Sequence, residues 1–205
     1  MPRKAGHFLM EHLVKKINLV EQRIDGERVF DGNLLQVYRD RITLPDGSEG
    51  NREYIKHPGA VVILAIQNDG KFLIERQFRY PVGQEFLEFP AGKIEQGEEI
   101  LVTAKRELFE ETGHVSDDWS YLGKYHPCIG YSNEIIEVFV AKHVCKISEP
   151  VLDEGEFLEV FSLSLDEINR YVASGHLTDG KTLSALYIYA CSNSSNAISV
   201  IGKEE

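Results

Sequence analysis

Apolar residues recur in short, partly alternating stretches through the first half of the chain and in four-residue steps in parts of the second half. Between residues 17 and 90 the segments INLVEQRI and VFDGNLLQVYRDRITL are rich in branched residues and alternate in part, which predicts strands. LPDGSEG, with Pro45, Asp46 and Gly47, marks a turn. AVVILAI, residues 60–66, is an unbroken apolar run, the pattern of a strand covered on both faces. Asn68-Asp69-Gly70 then folds the chain back into KFLIERQFRY, predicting a hairpin, and a short strand, EFLEF, leads to Pro90.

From Glu98 to Thr112 the period becomes helical. Ile100, Ala104 and Leu108 stand four apart and form, with Leu101, one apolar stripe, while Gly113 suits the residue just past a helix end. YLGKYHP and EIIEVFVAKHV read as strands around a loop, CIGYSN, and FLEVFSL as a further strand. Ser164 and Glu167 have the spacing of a capping box opening a helix that ends near Gly175. Asp179 to Ala190 reads as a last helix, and the tail from 191 to 205 is expected to be poorly ordered. Strands early and helices later describe a mixed α/β or α+β domain.

Composition narrows the class. At 205 residues the chain suits one domain, or a core domain with a small appendage, and 42% hydrophobic with 27% charged residues is ordinary globular usage. Acidic residues outnumber basic ones, 33 to 22, and the net charge of -11 repels a phosphate backbone, so no nucleic acid partner is expected. Cys128, Cys145 and Cys191 form no CxxC pair, which points to free thiols in a reducing compartment. The N-terminal MPRKAGHFLMEHLVKK lacks an apolar stretch fit for a signal sequence, and no run approaches a membrane span. The expectation is a cytoplasmic protein with no membrane partner.

One helix end is hard to explain by stability. Glu107, Glu110 and Glu111 sit in its last two turns, where the helix dipole favours cations and where acids three or four apart repel. A solvated acidic face eased by Lys105 and Arg106 is the plain reading. The chemical one is that carboxylates converging beside a loop suit a hard divalent cation with oxygen ligands.

Spacing favours the chemical reading. From Gly92 the chain runs GKIEQGEEILVTAKRELFEETGH. Gly92, Glu98, Arg106, Glu107, Leu108, Glu110, Glu111 and Gly113 fall in register with the Nudix box, so the chain resembles the Nudix hydrolases. Seven fixed identities at ~7% usage each coincide about once in 10⁸ placements. His114 departs, standing where the family has an aliphatic residue, and is read as a satisfied structural histidine. The resemblance implies an α+β fold, an α/β/α sandwich with a mixed sheet and an N-terminal antiparallel β region. It implies Mg²⁺ bound by Glu107 and Glu111, with Glu110 in support and the carbonyl of Ala91 as a further ligand. Mn²⁺ is able to substitute. Arg106 orients the box carboxylates, and Glu98 ties the loop to the helix start. The chemistry is attack of water on one phosphorus of a diphosphate.

Outside the box, NREYIKHPGAV, ERQFRYPV, EFLEFPAGKIE and GHLTDGKT resemble the ADP-ribose pyrophosphatase subgroup. That likeness places Arg79 and Arg52 on the substrate side, with Glu85 near the diphosphate. Glu134, in CIGYSNE, matches a mobile glutamate that handles the attacking water; read by itself, it is equally the first residue of a strand. The subgroup implies a homodimer built through residues 1–57, a hydrolase domain over 58–190 and a tail over 191–205. The implied reaction is hydrolysis of a small-molecule nucleoside diphosphate conjugate, ADP-ribose giving AMP and ribose 5-phosphate. GDP-mannose, NADH or a dinucleoside polyphosphate as substrate, and a non-catalytic nucleotide sensor, stay open at this stage.

Overall fold

The structure, a computed structural model, describes residues 18–193. It divides into two compact units, Met1–Lys56 and His57–Glu205. Of the tail expected to be poorly ordered, Cys191–Asn193 complete the last helix and residues 194–205 lie outside the described residues.

The first unit is a three-stranded antiparallel sheet in the order β1 (Gln22–Asp31), β2 (Gln36–Thr43) and β3 (Glu49–Lys56). The predicted strand over 29–44 is in fact two strands. Asp31-Gly32-Asn33 supplies turn residues, and the Gly32 amide closes the bend on the Leu35 carbonyl at 2.9 Å. The first strand also begins at Gln22, later than INLVEQRI predicts. Asp40 is buried and answered by Arg23 at 2.9 Å and by the Tyr54 hydroxyl at 3.0 Å. β1 keeps all ten of its residues exposed, the apolar Ile24, Val29 and Phe30 included.

The second unit is built on a mixed eight-stranded sheet whose main path runs β11 (Leu158–Leu163), β5 (Phe72–Arg79), β4 (Ala60–Gln67), β10 (Ile136–Lys146), β8 (His114–Val115). β6 (Gln84–Glu88) pairs with β5, β7 (Ala91–Lys93) with β4, and β9 (Asp118–Tyr125) with β10. β4 and β10 are parallel, and both are covered on each side, which explains why AVVILAI is apolar without alternation. β9 starts at Asp118, earlier than YLGKYHP predicts, because as an outer strand it carries a polar face that hides its period.

Side chains alternate between two cores. Val62, Leu64, Phe72, Ile74 and Val138 face one side with Ile168 of α2 (Leu165–Ala173) and Ala185 of α3 (Gly180–Asn193). Val61, Ile63, Leu73 and Phe139 face the other with Ala104 and Leu108 of α1 (Ile100–Thr112). The fold is thus α+β, a sheet between helical layers. The Ser164–Glu167 capping box forms in full at the start of α2. Leu101 corrects the predicted stripe: it is 37% exposed, and Thr103 takes the buried position instead. α1 begins at Ile100 and not at Glu98, since Glu98 is spent on the loop described below.

β4 meets β5 only at Ile66–Phe72. Beyond that point β5 pairs with β6, and β4 pairs with β7 through Ala60–Val62 while the Ile63 amide binds the Pro90 carbonyl at 2.9 Å. Because Leu108 is fully buried as the anchor of α1, Leu108→Ala is expected to cost about 2–5 kcal/mol, read as a lower denaturation midpoint in urea.

Candidate active site

β7 delivers the chain into a loop that closes on α1. The loop turns at Glu95–Glu98, where the Glu98 amide binds the Glu95 carbonyl at 3.0 Å. Glu98 accepts from the Glu95 amide at 3.3 Å and the Thr103 hydroxyl at 2.8 Å, so its side chain stitches loop to helix. Arg106, one turn further on, donates to Glu98 at 3.0 and 2.9 Å, to Glu107 at 2.8 Å, to Glu110 at 3.0 Å and to the Lys93 carbonyl at 3.2 Å. The Arg106 contact holds Glu98 at about 2, well below the ordinary range. These contacts offset the charge of a helix end that has no basic residue in its last turn.

Two glycines are required by space. A Cβ built on Gly92 would fall within the Glu107 carboxyl, so β7 admits that side chain only without one of its own. Gly113 has φ +70° and its missing Cβ would strike the Ser148 carbonyl; its own carbonyl accepts from Ile147 at 2.9 Å.

Glu111 is 5% exposed and accepts from the Ala91 amide at 2.9 Å. Beside it Glu75 of β5 is 3% exposed, within hydrogen-bonding reach of Glu111. Glu88 stands across from Glu75 in the β5–β6 register and is held by Arg79 at 2.8 and 2.6 Å and by Lys181 at 2.6 Å. Lys181 also binds Asp179 at 2.9 Å, and Asp179 caps α3 through the Thr182 amide at 2.9 Å.

Burial, then the neighbouring Glu75 and Glu107, push the Glu111 carboxyl well up. Burial lifts Glu75 to about 8 against the pull of Lys181, and burial raises Glu107 despite Arg106. Glu88 goes the other way: burial opposes its charge, but Arg79 and Lys181 overcome that and hold it below the ordinary range. The sheet and helix therefore enclose carboxyls whose charge lacks compensation. One oxygen, Glu75 Oε1, is buried with no hydrogen-bond partner. Hard oxygen donors short of positive charge suit Mg²⁺ or Mn²⁺. Among the described residues no three acidic, His or Cys side chains enclose a cation as they stand, and Glu107 and Glu110 are turned onto Arg106.

Of the residues singled out by sequence, the structure brings together Ala91, Arg106, Glu107, Glu110 and Glu111, with Arg79 beside them through Glu88. It does not bring in Glu85, which is exposed, paired with Arg76 at 3.2 Å, and three residues from Glu88 on the opposite face of its strand. Arg52 lies in the first unit, ion-paired with Glu21. Glu134 precedes β10 in a loop, not in the strand, with its carboxylate 3.5 Å from His57 Nδ1. Asn133 fixes that loop by accepting from the His57 amide at 2.8 Å. His114 is buried and donates from Nδ1 to the Thr112 carbonyl at 2.8 Å. Sequence reasoning passed over Glu75, Glu88, Asp179 and Lys181. A charge closing the apolar run Phe72–Ile74 was the available signal for Glu75.

The NUDIX domain family matches residues 56–186, and the nucleoside diphosphate sugar hydrolase N-terminal domain matches residues 21–55. The chain belongs to the Nudix hydrolase family. It is 38% identical over 170 residues to the ADP-ribose pyrophosphatase of Bacillus subtilis, covering 82% of this chain and 92% of that one. It is 38% identical over 167 residues to the methanol dehydrogenase activator of Bacillus methanolicus, covering 81% and 90%. A crystal structure of ADP compounds hydrolase shares the fold with a TM-score of 0.76 at 23% identity, covering 86% of this chain and 95% of that one.

Two outcomes follow for this Nudix hydrolase. Gly92→Ala moves only a flexible carboxylate, so circular dichroism should be unchanged while turnover falls about 10–100-fold. His114 titrates below the ordinary histidine range because burial, helped by the nearby Lys146 charge, outweighs the opposing hydrogen bond to the Thr112 carbonyl. The unfolded chain therefore takes up that proton first, and the stabilisation is present above pH ~6.5 and lost as pH falls below it. His114→Leu should flatten this part of the acid-side decline in melting temperature relative to the parent between about pH 7 and 5.

Proposed function

We propose that this Nudix hydrolase cleaves the diphosphate bridge of a nucleoside diphosphate-sugar, with ADP-ribose, giving AMP and ribose 5-phosphate, as its preferred substrate. Divalent cations serve Nudix hydrolases generally. Mg²⁺ is the proposed ion here, with Mn²⁺ as a substitute. The observation that carries the reading is the buried Glu111 carboxylate held against the Ala91 backbone, with the half-buried Glu107 one turn before it on the same helix. Glu107, Glu111 and the Ala91 carbonyl would hold the ion, and Glu110 would support it. The bound ion supplies charge neutralisation at the diphosphate and lowers the pKa of the attacking water.

The protein's own groups do the rest. Arg106 positions Glu107 and Glu110 through its paired contacts. Glu134 accepts the proton of the attacking water from a loop pinned by Asn133. Arg79 retains a guanidinium edge for phosphate oxygens while Glu88 fixes its orientation, and Arg52 is a further candidate for binding substrate. Exposed Ile24, Val29 and Phe30 on β1 support a homodimer formed through the first unit. A cytoplasmic location accords with the three free thiols. No helix among the described residues is long and apolar enough to cross a membrane.

The preference for ADP-ribose draws on the relatives' names and on the segments around the box. A panel of ADP-ribose, GDP-mannose, NADH and a diadenosine polyphosphate, each with Mg²⁺ and with Mn²⁺, tests it by product release. ADP-ribose should lead in kcat/KM by about tenfold or more, roughly 1.4 kcal/mol of transition-state preference. Faster turnover of GDP-mannose overturns the choice of substrate.

A further inference from the structure

We propose that Glu75 is a metal ligand of this protein, supplied by the sheet and not by the Nudix box. The proposal rests on the reading of Glu107 and Glu111 as ligands and adds to it a donor from another element. Glu75 lies on β5 and Glu111 on α1, so two different elements bring these neighbouring carboxyls together. The Glu75 side chain is 3% exposed, adjoins Glu111, and leaves Oε1 buried with no hydrogen-bond partner.

The contrast with Glu88 gives this oxygen its meaning. Both carboxylates are buried, and they stand directly across from one another in the β5–β6 register. Glu88 receives Arg79 and Lys181, while Lys181 turns its remaining capacity to Asp179. Cations are thus at hand, yet neither is placed on Glu75. Buried polar atoms are satisfied almost everywhere in folded proteins, and an exception calls for a partner of its own. The partner that fits a carboxylate oxygen flanked by further carboxylates is a hard divalent cation, which takes six or more oxygen donors from such groups. A hydrogen-bond donor of the protein would be repelled by nothing here, but the described residues provide none at Oε1. The ion would then tie helix to sheet, and Glu75 would be paired with positive charge as Glu88 already is.

The test uses the whole chain and Mn²⁺ alone, without substrate. Mn²⁺ affinity is measured by electron paramagnetic resonance, and melting temperature is recorded in EDTA and in saturating Mn²⁺. The proteins compared are the parent, Glu75→Gln, Glu75→Leu and Glu111→Gln. Both Glu75 variants should bind Mn²⁺ about tenfold or more weakly, and both should lose most of the Mn²⁺-induced rise in melting temperature. In EDTA, Glu75→Leu should melt no lower than the parent, because it removes a buried oxygen without a partner. Should the Leu variant fail to fold, the near-isosteric Gln variant carries the affinity measurement. Affinity in Glu75→Gln within threefold of the parent, alongside weakened binding in Glu111→Gln, overturns the role of Glu75 and leaves the box reading intact. Unchanged binding in Glu111→Gln overturns the box reading itself.

Discussion

Arg106 is the contact on which the site hangs. Glu98, Glu107 and Glu110 would repel one another in a partly desolvated space, and a single guanidinium answers all three while also binding the Lys93 carbonyl. A planar fork with several fixed donors does this where a lysine ammonium would not. Removing the arginine would leave unpaired charge against the sheet, which is costlier than never having placed the acids there. The same side chain joins the loop after β7 to the second turn of α1, so the shape of the loop and the aim of the carboxylates are fixed by one group.

Behind that contact stands the alternation of β4. Its odd-numbered residues from Val61 anchor α1 and its even-numbered residues from Val62 receive α2 and α3. The two apolar layers let the sheet hold the acidic Glu75 between paired strands without losing its core. The buried carboxyls Glu75 and Glu111 are a local cost carried by the packing around them, the usual arrangement where a site is built into a stable frame.

Where sequence and structure agree, a strong period or a steric demand is responsible. AVVILAI reads as a covered strand and is one, the Ser164–Glu167 pair opens a helix as its spacing predicts, and the box spacing marks a family to which the chain belongs, with Gly92 making room for Glu107. Family and fold were therefore legible. Weak or partial periods misled. Gly32 broke a strand whose apolar content looked continuous, and Leu101 looked apolar enough for the core but falls on the solvent side of the helix. Glu75 had only the charge closing an apolar run as its signal and Glu88 had none, since a charged residue in a strand reads as surface until a helix from elsewhere in the chain covers it. Glu85 and Glu88 show this best: three residues apart in one short strand, one is exposed and the other is buried between two cations.

The parting of β4 and β5 has its own consequence. Where the two strands separate, the three residues of β7 fill the breach, and the amide that reaches Glu111 belongs to that patch. Mending the sheet and holding the Glu111 carboxylate are thus one task performed by one tripeptide. A single residue inserted between Glu88 and Ala91 would leave the composition of the site untouched, yet would turn alternate groups to the wrong face of the patch. The length of this segment is therefore as tightly bound as its lettering.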